Sequence, residues 1–324
     1  MGIILDKFDR NLLYQLDGNA RLSTSELART LKQGRDRVEY RLTRLKELGI
    51  LKGCTVTINP YRLGLTLYKT YLKLSQKHTA FEKIIKYLTD HPRVYWIADC
   101  DGRWDLIFST FARSPFEFHA IQHEILDRFS DLIISSNVFT LVNVWVNRLG
   151  YLVGEGAPSF VIGGEPSEQI IDPIEWKILR LLSKDARMPI SEIARQVKTT
   201  EMVVRYRLEG LEKSGLILGY RASVNLEKLG MMFFKAQIYL KELNKQELKV
   251  FRKYCQNHPN ITFFIEQIGE CDIEIELEVD SYQTYTEVIN EIRKRFSRLI
   301  RNIETVLIND AFFKWVPLEF ASQE

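Results

Sequence analysis

The sequence predicts an α+β protein made of two tandem copies of one unit, each a winged helix-turn-helix followed by a ferredoxin-like βαββαβ domain. Three observations support this prediction. Motifs recur in the same order 166 residues apart, each copy opens with three short helical patterns and an alternating strand, and the rest of each copy mixes strands with amphipathic helices. A repeat with so long a period rarely arises by chance, so the whole architecture is duplicated.

The repeat is clearest in one helix. Residues 37–49 read RVEYRLTRLKELG, and residues 203–215 read VVRYRLEGLEKSG. After one inserted residue the match continues 167 apart, with HPRVYW at His91 and HPNITF at His258. Between the copies lies a segment rich in Gly, Pro and Ser, which predicts a linker. The predicted domains are a winged helix-turn-helix at 1–60, a βαββαβ domain at 61–150, a linker at 151–170, a second winged helix-turn-helix at 171–226 and a second βαββαβ domain at 227–320.

Three helices and a strand open each copy. Ser23 stands three residues before Glu26, which is the spacing of a capping box, whereas the second copy has Pro189 in place of the serine. The third helix has apolar residues at helical spacing, and a glycine then ends it. The buried positions should be Val38, Leu42 and Leu45 in the first copy and Val204, Leu208 and Leu211 in the second. The alternating run after each glycine predicts the wing.

The exposed face of the third helix is a candidate DNA-binding surface. The chain has a formal charge of only +3, but residues 27–53 hold eight Lys or Arg against three Asp or Glu. Residues 193–219 hold five against three. The two winged helix-turn-helix units, called here the first and second heads, therefore differ in local charge. Clustered basic residues attract phosphates, although a merely solvated basic face is the alternative. The predicted DNA-binding residues are Arg35, Arg37, Tyr40, Arg41 and Arg44 in the first head and Thr200, Met202, Arg205, Tyr206 and Arg207 in the second.

Each βαββαβ part is predicted from alternating strands and two amphipathic helices. In the second copy DIEIELEV puts Glu274, Glu276 and Glu278 on one side of a strand, which we expect to meet water or basic groups. The matching side of the first copy is less polar, which indicates that the two sheets are used unequally. The matching residues are Ile107, Ser109 and Phe111.

A winged helix-turn-helix followed directly by a βαββαβ domain resembles the Lrp/AsnC family of feast/famine transcription regulators. The resemblance rests on LDKFDRNLLYQLDGNARLSTSELA, RLTRLKELGILKG, INPYRLG, and the turns DGRWD and GECDI, and it covers nearly all of the chain in two copies. It implies double-stranded DNA binding through the third helix, usually by dimers that assemble further, and an amino acid or similar effector between the RAM-type βαββαβ domains. We expect no cofactor.

The family's effector-associated turn has Gly, two residues and then Asp. It matches Gly102 and Asp105 in the first copy and Gly269 and Asp272 in the second. Glycine lets a backbone approach a ligand closely, and aspartate can accept a hydrogen bond from an ammonium group. A plain hairpin turn also favours Gly and Asp, so both interpretations stay open.

The fusion is unusual, because ordinary family members carry one copy per chain and dimerise. Two copies in one chain can form an internal pseudo-dimer. Identical heads suit a palindrome, whereas a fused pair with different heads is free of that rule. The hypothesis is therefore an asymmetric DNA site, to which the first head contributes more phosphate affinity. Exposed strand edges and the family resemblance also favour a homo-oligomer of fused chains.

Two other functions remain open. Siroheme decarboxylases resemble the same architecture, and His119 and His123 lie four apart on one helix, a spacing that suits a metal. The pair is not repeated, since the equivalent residues are Thr286 and Asn290, so a polar helix face is the preferred interpretation. The third possibility is a small-molecule sensor or scaffold without DNA binding.

The cellular setting is predicted from absent signals. The N-terminus is charged too early for a secretory signal, and no apolar run is long enough to cross a bilayer. The four cysteines form no ligand pair, which indicates isolated buried thiols in a reducing cytoplasm. We therefore expect a cytoplasmic protein with no membrane partner.

Overall fold

The computed structural model describes residues 2–75, 77–241 and 244–313, so residues 314–320 of the last predicted domain lie outside the described part. The helices of the described residues are α1 (Lys7–Gly18), α2 (Thr24–Leu31), α3 (Arg35–Glu47), α4 (Lys77–Asp90), α5 (Pro115–Arg128), α6 (Pro173–Lys184), α7 (Ile190–Val197), α8 (Glu201–Lys213), α9 (Leu226–Leu229), α10 (Lys245–Asn257) and α11 (Tyr282–Arg295). The strands are β1 (Leu51–Ile58), β2 (Thr66–Leu74), β3 (Val94–Gly102), β4 (Leu106–Ala112), β5 (Ile133–Asn147), β6 (Pro158–Gly163), β7 (Ile217–Val224), β8 (Met232–Leu240), β9 (Ile261–Ile268), β10 (Ile273–Val279) and β11 (Ile300–Phe313). The α+β prediction is confirmed in both copies.

The local signals behave as the sequence predicts. Ser23 and Glu26 form the capping box at the start of α2, whereas α7 begins after Pro189 without a side-chain cap. The predicted apolar faces of α3 and α8 are buried. All four cysteines are buried and free. Within the described residues, no helix combines the length and apolarity that crossing a bilayer requires.

The two winged heads are joined through their wings. Strand β1 pairs antiparallel with β7, and Val56 lies opposite Tyr220. The amide of Ala20 donates to the carbonyl of Tyr220 at 2.8 Å, and the equivalent amide of Ala186 donates to the carbonyl of Cys54 at 2.8 Å. These bonds join positions related by the 166-residue repeat in both directions. The heads are therefore related by a pseudo-two-fold axis.

The two βαββαβ sheets close into one eight-stranded ring, which forms a β-barrel. Within the first copy the order is β5-β2-β4-β3, and within the second it is β11-β8-β10-β9. Strand β3 then pairs with β11, and β9 pairs with β5, all antiparallel. Ring closure satisfies the backbone of both edges of each sheet. The edges that favoured further assembly at the sequence level are thus used inside the chain.

The predicted linker is not free of structure, since it contains β6, which extends the ring beyond β5. The amide of Gln169 donates to the carbonyl of Arg62 at 2.8 Å, and the amide of Ser167 donates to the carbonyl of Tyr61 at 2.7 Å. The segment therefore lies against the start of the first βαββαβ domain. It forms an outer strand of the sheet that sequence composition did not predict.

Alternation along the strands sorts side chains between the inside of the ring and the helices. Leu72 and Phe108 pack under α4 and α5, and Ile275 packs under α10 and α11. The opposite faces, including Tyr71 and Ile107, join a continuous core that also contains both heads. Ring closure therefore places one face of every strand in a shared interior.

A substitution at Gly269 tests how closely the two copies approach each other where the barrel closes. A Cβ added at Gly269 would lie 2.4 Å from Cδ1 of Phe139 and 2.9 Å from the carbonyl oxygen of Val138, both in β5 of the other copy. We expect Gly269→Ala to lower the free energy of unfolding by about 1–3 kcal/mol through overpacking, measured by chemical denaturation. Gly210→Ala, in open space within α8, should instead stabilise by about 0.5–1 kcal/mol. Equal effects of the two substitutions would contradict the close packing.

Candidate DNA-binding heads and the barrel interior

The first head presents a basic and aromatic surface on α3. Arg35, Arg37 and Tyr40 are exposed, and Tyr40 keeps 65% of its surface. Arg37 donates to the side-chain oxygen of Gln33 at 2.7 Å and stacks over the ring of Phe8. Among the described residues, neither Arg35 nor Arg37 makes an ion pair with a carboxylate. Both guanidinium groups are therefore available to phosphates.

The other two predicted arginines of this head are tied to α1. Arg41 donates to Asp6 at 2.7 Å and to Asp9 at 2.9 Å, and Arg44 reaches Asp9 at 3.4 Å. Asp9 is buried, and burial raises its pKa, with Asp6 adding to the shift and Arg41 opposing it. Arg41 thus fastens the third helix to the first.

The second head repeats that tether with a different outer surface. Arg207 forms ion pairs with Asp172 and Glu175 at the start of α6. Thr200 caps α8, and its hydroxyl accepts from the amide of Val203 at 3.3 Å. Met202 and Tyr206 are strongly exposed, and Arg205 lies 3.5 Å from Glu201. The repeated Tyr-Arg pair thus combines an exposed aromatic ring with an anchor between helices.

In each Gly-x-x-Asp turn, the aspartate side chain accepts hydrogen bonds from residues of its own copy. The carboxylate of Asp105 accepts from the amide of Leu74 and from Lys73, each at 2.9 Å, and Asp272 accepts from the amide of Leu240 at 2.9 Å. Gly102 has a φ of +121°. These contacts fasten each turn to the first strand of its βαββαβ domain, β2 or β8, so both turns have a structural role. Effector binding by these four residues stays a prediction.

The same turns meet across the pseudo-two-fold axis. Arg103 donates to both carboxylate oxygens of Glu270, at 2.7 and 2.9 Å, and to Glu304 at 2.9 Å. Arg103 and Glu270 are equivalent positions, 167 residues apart. Two identical copies would place the same residue at both positions. This complementary pair therefore requires two different copies.

The histidine pair on α5 does not form a metal site with its neighbours. The rings of His119 and His123 lie with centroids 4.4 Å apart. Over the described ranges, no group of three His, Cys, Asp or Glu residues is arranged to hold a metal ion.

The barrel interior contains a buried charge cluster that sequence reasoning did not identify as a site. Lys69 donates to Glu274 at 2.5 Å, and Lys235 donates to Glu274 at 3.0 Å and also to Glu276. The hydroxyl of Tyr71 donates to Glu274 as well. The expected acidic face therefore meets basic groups rather than water. The sequence feature that could have indicated this cluster is a lysine within a mainly apolar strand, which occurs in both copies as Lys69 and Lys235.

The electrostatics of this cluster are internally balanced. Burial acts to raise the pKa of Glu274, but the charges of Lys235 and Lys69 lower it to about 2. Burial opposes ionisation of Lys235, yet Glu274 and Glu276 raise its pKa above the usual value. Burial and the charge of Lys235 lower the pKa of Lys69, while Glu274 and Glu276 oppose that shift. Each buried lysine thus lies against a carboxylate, as buried charges require.

Glu278, two residues further along β10, is in a different situation. Its Oε2 atom is buried and makes no hydrogen bond of ordinary geometry among the described residues, although the Tyr151 hydroxyl is near enough to act on the carboxylate by hydrogen bonding. Burial raises its pKa to about 7, while Tyr151 and Arg221 act to lower it. Two glutamates on one strand face therefore have pKa shifts of opposite sign.

Removing the central carboxylate should unbalance the cluster. We expect Glu274→Gln to lower the free energy of unfolding at pH 7 by roughly 3–5 kcal/mol, because Lys69 loses its carboxylate partner. The contribution of Glu274 is present above its ordinary pKa of 4.5 and is lost as pH falls towards 2. Denaturation curves at several pH values measure both effects. Glu209→Gln, at an exposed pair with Lys213, should leave the unfolding midpoint unchanged.

Glu278 should show the opposite dependence. Because its folded pKa is above 4.5, the free energy of unfolding falls between pH 4.5 and about 7 as the unfolded chain loses a proton that the folded chain keeps. We expect Glu278→Gln to stabilise by roughly 1–3 kcal/mol at pH 8 and to have little effect at pH 4. A variant less stable than the parent at pH 8 would show that the carboxylate is well satisfied.

Comparison with known proteins agrees with the heads. A family profile described as winged helix-turn-helix DNA-binding matches residues 5–52 and 171–217. The HTH-type transcriptional regulator LrpA of Pyrococcus horikoshii is 46% identical over 61 residues, which are 19% of this chain and 43% of that protein. An uncharacterised HTH-type transcriptional regulator of Pyrococcus abyssi is 32% identical over 150 residues, which are 44% of this chain and 95% of that protein.

Among solved structures, the siroheme decarboxylase NirDL superposes with a TM-score of 0.65 at 12% identity, covering 98% of both chains. This likeness concerns the fold of the complete two-copy chain. Two further HTH-type regulators, by contrast, match one copy of this chain over 93% and 95% of their own length. On this evidence the chain belongs to the Lrp/AsnC family of HTH-type transcriptional regulators, with the family architecture present twice in tandem.

Proposed function

We propose that the chain is a sequence-specific DNA-binding transcription regulator in which the two fused copies act as one pseudo-dimer on an asymmetric site. The observation that carries this proposal is the contrast between the inside and the outside of the heads. Reciprocal backbone bonds hold the heads in a two-fold relation, while α3 and α8 present different exposed residues. Such a pair contacts two half-sites at a fixed spacing but reads each differently.

The ten predicted contact residues divide by role in this proposal. Arg35 and Arg37 supply phosphate affinity, because they are exposed and lack acidic partners among the described residues. Tyr40 and Tyr206 are exposed on the third helices, and in this proposal they enter the major groove with those helices. Arg41 and Arg207 contribute chiefly by holding that helix on its scaffold, since carboxylates already bind them. Arg44, Thr200, Met202 and Arg205 complete the two surfaces.

The alternative enzyme function has less support. The likeness to a siroheme decarboxylase concerns the fold alone. A tetrapyrrole that carries many carboxylates would need a predominantly basic site, whereas the lysines of the barrel interior are already paired with glutamates. A DNA-binding regulator with a small effector fits better, and the family resemblance favours further assembly of fused chains.

Single substitutions on the two heads test the asymmetry. We expect Arg37→Ala to weaken DNA binding and to reduce the slope of log affinity against log salt by about 0.9, the value of one phosphate contact. Arg205→Ala should have a smaller effect, because Glu201 already shares its charge. Lys249→Ala, which removes one exposed charge from α10, outside both winged helix-turn-helix units, is the matched control.

Selection of bound sequences from random DNA measures the same property independently. An asymmetric consensus supports the proposal, and a palindrome with equal losses from Arg37→Ala and Arg205→Ala contradicts it. Absence of any sequence preference at physiological salt would favour a sensor or scaffold instead.

A further inference from the structure

A cavity of about 300 Å³ lies inside the barrel, between the two copies and beneath the first wing. This volume is at the lower end of the range for small-molecule sites. Aromatic rings from both copies line it, together with four charged side chains. The rings are Tyr95, Trp96, Phe111, Phe233 and Phe263, and the charged groups are Lys69, Lys235, Glu276 and Glu278.

The charged side chains of this cavity differ in whether they have a partner of opposite charge. Lys69 and Lys235 are bound by Glu274 and Glu276, so each lysine already has an anionic partner. Glu278 contributes a further carboxylate, whose Oε2 atom is buried and whose hydrogen-bonding neighbour is the neutral hydroxyl of Tyr151 rather than a lysine. Burying such a group is costly unless a donor or a cation reaches it. With Glu274 behind the wall counted as well, three carboxylates face two lysines, so an ionised Glu278 has no lysine of its own.

We propose that this cavity binds a small organic cation, a primary amine with an aromatic or aliphatic body, whose ammonium group pairs with Glu278. The proposal specifies the effector class of the regulator proposed above and rests on that function only for its regulatory role. Aromatic rings stabilise a cation over their faces and pack against an apolar body. A free amino acid fits less well, because its carboxylate would enter a wall that already holds Glu276 and Glu278.

The location of the cavity gives the ligand a route to the heads. Thr57 and Ile58 of β1 line it, and β1 is the strand that joins the two wings. A neighbouring groove of about 540 Å³ between the wings and the barrel shares Thr57 and Glu278 with the cavity and is lined by Arg221 of β7. Arg221 in turn pairs with Asp17 of α1 at 2.6 Å. A cation at Glu278 therefore acts on groups that connect both copies' wings to the first helix.

Glu278 also predicts the pH dependence of binding. The ionisable groups that act on it or share its cavity are Tyr151, Arg221, Asp17, Glu276, Lys69, Lys235 and Tyr95. With a pKa of about 7, Glu278 is largely protonated at pH 6 and largely ionised at pH 8. The ammonium ligand stays charged over this range, so binding should be about tenfold weaker at pH 6 than at pH 8.

Calorimetric titration of the full chain tests the proposal with matched ligands. The probes are 2-phenylethylamine, hexylamine, the neutral 2-phenylethanol and L-phenylalanine. We expect both amines to bind at pH 8, with 2-phenylethanol and L-phenylalanine at least about tenfold weaker than 2-phenylethylamine. In Glu278→Gln the preference for the amine and the pH dependence should both disappear, whereas Glu287→Gln on the exposed face of α11 should retain them.

Several results would overturn the proposal. They are absence of binding by both amines at millimolar concentration, tighter binding of L-phenylalanine than of 2-phenylethylamine, or an unchanged amine affinity in Glu278→Gln. The stability measurements on that variant distinguish lost binding from lost folding.

DNA affinity, measured with and without 2-phenylethylamine, separates this proposal from the regulator function. A shift of at least threefold that Glu278→Gln abolishes supports the coupling. Amine binding without a shift in DNA affinity overturns the coupling, and amine binding by a chain with no DNA affinity overturns the regulator function while the cavity site stands.

Discussion

Closure of the barrel by edge strands from both copies is the constraint on which the rest of the structure depends. Each four-stranded sheet alone would leave two edges of unpaired amides and carbonyls. Pairing β3 with β11 and β9 with β5 satisfies them and turns one face of every strand inward. Polar groups on that face lose contact with bulk water, so they must satisfy one another. The cluster around Glu274 is the direct result.

The second consequence concerns symmetry. Fusion preserves the two-fold arrangement of backbone contacts but lets equivalent side chains diverge. Arg103 and Glu270 face each other as opposite charges, which identical copies cannot achieve at one position. Inside the barrel, Ser109 corresponds to Glu276, so only the second copy supplies the acid. The exposed faces of the two third helices diverge in the same manner, so a common scaffold carries two different surfaces.

A third consequence links the interior to the heads. Asp17 at the end of α1 binds Arg221 and also accepts from the amide of Leu149 at 2.8 Å, so the first helix, the second wing and the barrel meet at one buried carboxylate. Glu278 lies within the electrostatic range of that group. Glu278 is less completely hydrogen-bonded than the paired lysines and glutamates around Glu274. Incompletely satisfied buried groups tend to occur at functional positions.

The sequence by itself determined the repeat, the family, the element types and the buried faces of the third helices, because these depend on local periodicity and on order along the chain. Only the tertiary structure decided what distant residues do to one another. Arg41 is held by carboxylates more than 30 residues away, Asp105 binds the strand 31 residues before it, and Glu274 meets a lysine 205 residues earlier. Such pairings depend on which strands and helices meet when the barrel closes, and no local pattern encodes that.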